Sequence, residues 1–261
     1  MAQKNMNPIL QNDRAQKIQT EPTEISLSVV VTIFQETNSI REAVERVMKQ
    51  DHEGYLKEFL LMASPKSSAE TIAICTALVE QYPNIRFHIQ EESPGVGFAI
   101  REGMAKARGT HVALLAADLE TTPETIDVMV KKIKETGCDV VTGSRWLSGG
   151  GFQKYGIIKL FCNWWFQKIF KVLFQTKLTD ISYGYKILSK EAIDRIQWTG
   201  QFHEIYIETT IKPLAAGYRV EEVPTVWVRR DEGESVNSFF KNFIYVKKAF
   251  AVLFRMDKVR K

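Results

Sequence analysis

Two patterns of apolar residues alternate along the first part of the chain. Continuous apolar runs, such as the β-branched run at residues 25–34, are typical of strands buried on both faces of a parallel sheet. The next segment places Ile40, Val44 and Val47 at helical spacing. Further strands are predicted at residues 58–62, 85–89, 111–118 and 138–144, and further helices at residues 71–82, 98–107 and 123–135. The alternation predicts an α/β domain with a doubly wound, mostly parallel sheet flanked by helices, whose ligands bind beyond the carboxyl ends of the strands.

The pattern changes after Trp146 to a Gly-rich loop followed by an aromatic, helical segment at residues 156–175. A narrow polar stripe recurs every four residues in this segment: Lys159, Asn163, Gln167, Lys171 and Gln175. The rest is nearly all apolar and includes Trp164 and Trp165, which is typical of a helix lying in a membrane interface. A helix packed under the domain, or buried in a dimer interface, is the alternative.

The last segment, residues 236–261, predicts a basic amphipathic helix. Polar residues share one face, and phenylalanines and leucines cover much of the remainder. Such a helix is attracted to anionic headgroups. The sequence contains no run of about 20 apolar residues, the length that a spanning helix needs. We therefore expect peripheral attachment to a membrane surface, directly or through a membrane-anchor partner, and homo-oligomers are a further possibility.

Composition narrows the setting. The 261 residues carry a formal charge of +4, which suits phosphate-bearing or anionic-membrane partners and is too weak to indicate nucleic acid. The three cysteines lack metal-ligand spacing, and their odd number argues against a disulfide framework and favours a reducing compartment. Residues 1–24 are polar and predict a disordered leader rather than a secretory signal. The expected location is the cytoplasmic face of a membrane.

Two carboxylates mark the end of the strand predicted at residues 111–118. Asp118 and Glu120 lie where the apolar run stops, just before Thr122 and Pro123 begin a helix. Paired carboxylates at a strand end can hold a divalent cation. The alternative is that Asp118 is a turn residue and Glu120 or Thr122 caps the next helix.

Several segments, in this order and at these distances, resemble the family-two glycosyltransferases. They are VVVTIFQETNSI, PGVGFAIREGMAKARG, LLAADLETTPE, DVVTGSRW and DISYGYK, followed by Glu-Val-Pro at residues 222–224 and Gly-Glu-Ser at residues 233–235. The closer resemblance is to the dolichyl-phosphate mannosyltransferase-like branch, which transfers sugars to polyprenyl phosphates. It covers residues 25–240. It implies a GT-A, Rossmann-like fold over residues 25–235.

The resemblance also implies roles for particular residues. Those implied to bind the nucleotide-sugar donor are Thr32, Phe34, Glu36, Ser64, Gly97 and Ala117. Those implied to act in catalysis are Asp118, Arg145, Asp180 and Glu208. The acceptor phosphate would be bound by Arg145, Arg230 and Ser235, and Asp118 and Glu120 would hold Mg²⁺ or Mn²⁺.

Elementary chemistry supports the same roles. A nucleoside diphosphate leaving group carries concentrated negative charge, which a metal held by carboxylates stabilises as a Lewis acid. A lipid phosphate is already anionic at neutral pH, so positioning and charge stabilisation suffice for its attack. The guanidinium groups of Arg145 and Arg230 match phosphate oxygens. The reaction expected is metal-assisted, inverting transfer of a sugar to a polyprenyl phosphate.

Three departures from the family pattern leave alternatives open. Ala116 replaces the first aspartate of the metal motif, Ala63 and Ser64 replace an Asp-Asp pair that helps to bind the nucleotide base, and Val236 replaces a lysine. One alternative is transfer to a hydroxyl of a growing glycan, which would need Asp180 or Glu208 as a general base. Another is a noncatalytic homologue that binds a nucleotide.

Overall fold

A computed structural model describes residues 24–229. The described strands are β1 (Leu27–Ile33), β2 (Leu56–Ala63), β3 (Ile85–Ile89), β4 (His111–Ala116), β5 (Val140–Ser144), β6 (Gly151–Gln153), β7 (Lys186–Ser189), β8 (Val220–Pro224) and β9 (Val226–Val228). The described helices are α1 (Asn38–Met48), α2 (Ala69–Gln81), α3 (Val96–Lys106), α4 (Thr125–Thr136), α5 (Ile157–Leu173), α6 (Lys190–Arg195) and α7 (Glu204–Ala215). The predicted leader, the predicted C-terminal helix, Arg230 and Ser235 lie outside the described residues, apart from residue 24.

Seven strands form one sheet in the order β3-β2-β1-β4-β7-β5-β8. Strand β7 runs antiparallel to both of its neighbours, β4 and β5, and every other pair is parallel. Strands β6 and β9 form a separate parallel pair. The prediction of a mostly parallel sheet flanked by helices is confirmed.

Alternate residues of β1 explain why its sequence is continuously apolar. Val29 and Val31 face a core that includes residues of α1, α2 and α4. Val30 faces the opposite core, which includes residues of α3, α6 and α7. A side chain at Gly103 of α3 would place its Cβ 2.4 Å from Val30, so the helix approaches the sheet this closely only with glycine there. The strand is buried on both faces, as predicted.

Strand β7 was not predicted. It has four residues and follows an irregular stretch, so it carries too little pattern to be identified as a strand. By pairing with both β4 and β5 it separates two parallel strands that the alternating pattern would have placed side by side. Its position matters for the site because residues 180–185 lead into it.

Helix α5 confirms the predicted helical segment at residues 156–175, with slightly shorter bounds. One side of it packs Phe170 against Leu178, Ile181, Ile207 and Ile211. The other side is exposed. No helix within residues 24–229 is long and apolar enough to cross a bilayer.

Candidate active site

The carboxyl ends of β1, β2 and β4 meet at one edge of the large sheet. The amide of Ser64, just beyond β2, donates to the carbonyl of Ile33 at 3.1 Å. On the other side, the amide of Ala117 donates to the carbonyl of Thr32 at 3.1 Å. The fold therefore brings Thr32, Ser64 and Ala117 together at the edge where ligands of such sheets bind.

The loop after β1 holds Phe34 and Glu36. The Phe34 amide donates to the Glu36 carboxylate at 2.6 Å, and the Phe34 ring is 43% exposed. The Gln35 side chain donates to the Lys66 carbonyl at 3.0 Å, which ties this loop to the one after β2. Ser64 is buried and its hydroxyl accepts from the Lys66 amide at 3.2 Å. The Phe34 ring is thus exposed at this edge, whereas the Ser64 side chain is buried.

Gly97 lies in the first turn of α3, against the loop at residues 199–201. Its amide donates to the Gln201 carbonyl at 3.0 Å, and a Cβ there would lie 2.4 Å from the Gln201 backbone. The Glu208 carboxylate is fully buried, accepts from the Gly200 amide at 2.5 Å and forms an ion pair with Lys212. In this geometry Glu208 fixes the loop that supports the start of α3.

Asp118 and Glu120 form a tight turn beyond β4. The Glu120 amide donates to the Asp118 carboxylate at 3.0 Å, and Leu119 between them adopts a left-handed φ of 56°. The Glu120 carboxylate accepts from the Trp227 indole at 3.2 Å, and its carbonyl accepts from the Val228 amide at 3.0 Å. Both predicted metal ligands are therefore held beside this edge of the sheet, Asp118 by the turn itself and Glu120 by β9.

The chemistry of this pair fits a divalent metal that needs further ligands. No group of three or more His, Cys, Asp or Glu residues within residues 24–229 could hold a metal ion by itself. Mg²⁺ is usually bound by one or two carboxylates together with substrate phosphates and water. Asp118 and Glu120 supply two carboxylates, and Ala116 supplies none. A donor diphosphate would have to complete the coordination.

Arg145 and Asp180 form a buried, bidentate ion pair beyond the end of β5. Nε and Nη2 of Arg145 donate to the two carboxylate oxygens at 2.6 and 2.9 Å. The Arg145 side chain is 9% exposed and that of Asp180 is fully buried. Burial alone would lower the pKa of Arg145, but the Asp180 carboxylate outweighs it and the pKa is raised.

Aromatic rings enclose the same guanidinium. Its central carbon lies 5.2 Å from the ring centre of Phe152 on β6 and 4.8 Å from that of Tyr183. Such contacts stabilise a cation, most strongly where water is excluded. Arg145 is thus held on several sides by groups of the protein itself.

Comparison with known proteins identifies the family. The model of glycosyl transferase family 2 matches residues 28–197. The chain belongs to this family. The resemblance stated from the motifs is confirmed, and so is the assignment to the glycosyltransferases.

Curated relatives of this family 2 chain are distant. It is 24% identical to glycosyltransferase AglD of Haloferax volcanii over 78% of this chain and 33% of the relative. It is 24% identical to a dodecaprenyl-phosphate galacturonate synthase of Rhizobium johnstonii over 89% and 68%. It is also 24% identical to a dolichol-phosphate mannosyltransferase of Pyrococcus furiosus over 81% and 59%. The chain thus spans a third of the first relative and less than two thirds of the third.

Solved structures show the same fold. Glucosyl-3-phosphoglycerate synthase of Mycobacterium tuberculosis, in complex with Mn²⁺, UDP and phosphoglyceric acid, superposes with a TM-score of 0.64 over 89% of this chain and 78% of that one. Its complex with Mn²⁺, UDP-glucose and phosphoglyceric acid gives 0.65. Sequence identity is 15% in both cases. The predicted GT-A fold is confirmed.

The sequence analysis gave no structural role to two residues, one from the polar stripe and one from the Glu-Val-Pro motif, that support the site of this family 2 transferase. Gln167 of α5 is buried, donates to Asp180 at 3.0 Å and accepts from the Ile181 amide at 3.0 Å. Glu222 of β8 accepts from the amides of Thr179 and Asp180, both at 2.8 Å. Burial raises the pKa of Glu222. Gln167 stood in the predicted polar stripe of α5, but nothing in the sequence indicated that it points inward to Asp180.

Lys186 is a buried lysine at the start of β7. Its ammonium nitrogen donates to the Tyr206 carbonyl at 2.7 Å and the Thr210 hydroxyl at 2.5 Å, and burial lowers its pKa from 10.5 to about 7. Between pH 7 and pH 10.5, Lys186 is mainly protonated in the unfolded chain and mainly neutral in the folded chain. The free energy of unfolding therefore rises with pH, by about 2 kcal/mol between pH 7 and 9 from this residue.

Lys186→Met should remove this contribution to the pH dependence. Urea denaturation of both proteins at pH 7, 8 and 9 gives their free energies of unfolding. The contribution of Lys186 is the wild-type free energy minus that of the variant at each pH. We expect that difference to grow with pH. Lys190→Met, at a partly exposed lysine of α6, is the matched control and should leave the pH dependence unchanged. Parallel curves for wild type and Lys186→Met would contradict the expectation.

Proposed function

We propose that this family 2 transferase moves a sugar from a nucleoside diphosphate donor to a polyprenyl phosphate at a membrane surface, with a divalent metal and with inversion. The observation that carries the proposal is the placement of the Asp118–Glu120 turn beside Thr32, Ser64 and Ala117, at the carboxyl edge of the sheet. The names of two relatives, a dodecaprenyl-phosphate galacturonate synthase and a dolichol-phosphate mannosyltransferase, support the acceptor class.

At the donor side, Asp118 and Glu120 would hold the metal, and Mn²⁺ is present in the related M. tuberculosis enzyme. When bound, Mg²⁺ or Mn²⁺ would stabilise the charge that develops on the departing diphosphate. Phe34 offers an exposed ring at the end of β1, where a nucleotide base could stack. Gly97 allows the 199–201 loop and the start of α3 to meet closely on the same side.

At the acceptor side, a phosphate nucleophile suits the surroundings better than a hydroxyl. A hydroxyl needs a general base within reach. Asp180 and Glu208 are both fully buried, one paired with Arg145 and the other with Lys212. An anionic phosphate oxygen can attack without such a base. In-line attack forms the new bond on the face opposite the departing diphosphate, which inverts the anomeric carbon.

The acceptor phosphate itself would be bound by Arg145, Arg230 and Ser235. Arg145 has little exposed surface and is already paired with Asp180, so its contribution would be a fixed positive charge rather than a flexible clamp. Arg230 and Ser235 lie beyond the described residues and complete the proposal from the sequence alone.

Peripheral membrane attachment is proposed for the outward side of α5. The side that packs on the domain buries Gln167 and Phe170. The opposite side presents a contiguous run of exposed apolar residues: Ile157, Ile158, Phe161, Trp164, Trp165, Ile169 and Val172. Exposed apolar surface of this extent marks an interaction site, and two indole rings next to lysines favour the headgroup level of a bilayer. We propose the cytoplasmic leaflet as the surface it meets.

Replacing Phe161 and Trp165 with glutamate should reduce liposome binding at least tenfold. The two rings contribute much of the apolar area that would enter the interface, and each carboxylate would resist entry. Flotation with anionic vesicles measures the bound fraction. Val128→Glu, at an exposed apolar position of α4, is the control and should float like wild type. Unchanged flotation of the double variant contradicts the proposal. If wild type does not float but forms a dimer, and the double variant is a monomer, α5 is a self-association surface instead.

A thermal-shift screen tests the donor site. Purified protein is heated with nucleoside diphosphates and their sugar conjugates, with and without Mg²⁺ or Mn²⁺. One nucleotide at about 100 times its dissociation constant should stabilise the protein by about 2.7 kcal/mol. For a domain of this size that is a rise of roughly 5 °C or more. The rise should require metal. The absence of a shift with every nucleotide would favour a noncatalytic homologue.

A further inference from the structure

We propose that Trp227 is a positioning residue, which orients the Glu120 carboxylate toward the divalent metal. The inference rests on the metal site of the proposed function. Trp227 was not among the residues that the sequence indicated, and it lies on β9, more than a hundred residues from Glu120. Its indole N–H donates to the Glu120 carboxylate at 3.2 Å.

Strand β9 also fixes the backbone of the same turn. The Val228 amide donates to the Glu120 carbonyl at 3.0 Å, and the Thr122 hydroxyl donates to the Val226 carbonyl at 3.0 Å. Thr121 forms an isolated antiparallel bridge with Trp227. The main chain and the side chain of Glu120 both form hydrogen bonds with β9. The orientation of the carboxylate therefore depends on the position of that strand.

The Trp227 ring is itself held by a row of aromatic side chains. It meets Tyr155 edge to face, with ring centres 4.8 Å apart, and Tyr155 lies 4.8 Å from Phe152. Phe152 is paired with Trp227 across β6 and β9, and it is one of the rings beside Arg145. These aromatic rings connect the Asp118–Glu120 turn to the buried Arg145–Asp180 ion pair. A ring fixed on this side offers its N–H in one direction only.

Hydrogen bonds to a ligating group set its orientation, and their loss typically lowers metal affinity by about 10- to 100-fold. The effect should be large here because, within residues 24–229, the proposed site offers two carboxylates, and Ala116 stands in place of the first aspartate of the motif. Replacing Trp227 with phenylalanine keeps an aromatic ring beside Tyr155 and removes the N–H donor, together with one ring of the indole. A control Trp→Phe substitution elsewhere shares the loss of ring area, so the comparison separates orientation of Glu120 from loss of packing.

Direct Mn²⁺ binding tests the inference. Electron paramagnetic resonance measures free Mn²⁺ during titration of the protein in the presence of the nucleoside diphosphate that the thermal screen identifies. We expect the Mn²⁺ dissociation constant of Trp227→Phe to rise about 10- to 100-fold. The matched control is Trp198→Phe, because the Trp198 indole also donates, to the Ile193 carbonyl at 2.9 Å. It should bind Mn²⁺ like wild type.

A second readout separates positioning from folding. In sugar transfer, Trp227→Phe should need about 10- to 100-fold more Mn²⁺ for half-maximal activity, with kcat at saturating Mn²⁺ close to that of wild type. In the Glu120→Gln background the same substitution should have little further effect on Mn²⁺ affinity. If Trp227→Phe binds Mn²⁺ with wild-type affinity, the role of Trp227 is overturned and the proposed metal site stands. A wild-type protein that binds no Mn²⁺ with any nucleoside diphosphate overturns the proposed metal site as well.

Discussion

Asp118→Asn should lower sugar transfer about a thousandfold and leave the fold intact. The amide keeps the shape of the side chain and its ability to accept a hydrogen bond from the Glu120 amide, but it removes the charge of one of the two carboxylates proposed to hold the metal. Loss of several kcal/mol of charge stabilisation on the leaving group corresponds to about three orders of magnitude in rate. The metal-dependent thermal shift with nucleotide should disappear in the same variant.

The control for this effect is a neighbouring aspartate with no place in the site. Asp127 lies in the first turn of α4 and pairs with Lys131 on the surface. Asp127→Asn should keep both activity and the nucleotide-induced shift. Transfer by Asp118→Asn within about tenfold of wild type would show that this carboxylate does not hold the metal.

Asp180→Asn should destabilise the protein by about 3–5 kcal/mol, because it leaves the buried guanidinium of Arg145 without its counter-charge. Urea denaturation measures the change. Asp194→Asn breaks an exposed pair with Lys190, and surface pairs of this kind contribute less than about 1 kcal/mol. Replacing both buried partners together, as Arg145→Met with Asp180→Leu, should recover part of the loss in stability.

The same variant distinguishes two acceptor chemistries. If Asp180 is a general base for a hydroxyl acceptor, Asp180→Asn should lose turnover while keeping most of its stability. If Asp180 holds Arg145 in place, stability and turnover should fall together. Full stability with no activity would contradict the ion-pair role and favour a hydroxyl acceptor.

The elements that could be predicted from sequence are those with a long, local pattern. The apolar run of β1 and the helical spacing of α1 both depend on neighbours a few residues away, and both were found where they were expected. The motif at Asp118 could be placed at a strand end for the same reason. The resemblance between motifs then supplied roles that no local pattern contains.

The parts that could not be predicted depend on partners far away in the chain. Strand β7 is defined by pairing with both β4 and β5. The inward side of α5 is set by the contact between Gln167 and Asp180, whereas the stripe alone showed only that polar residues share one side. The role proposed for Trp227 depends on a contact between β9 and the turn at Glu120, which lies far away in the sequence. Each case requires tertiary structure.

Sugar transfer to a lipid phosphate can be assayed directly with vesicles that contain a polyprenyl phosphate. The protein is incubated with labelled nucleoside diphosphate sugars and Mg²⁺ or Mn²⁺, and lipid products are extracted and analysed by mass and by anomeric configuration. We expect metal-dependent formation of a sugar linked to the lipid through a single phosphate, with the anomeric configuration inverted relative to the donor. Transfer to glycan hydroxyls with no labelled lipid, or no transfer from any donor, would contradict this expectation.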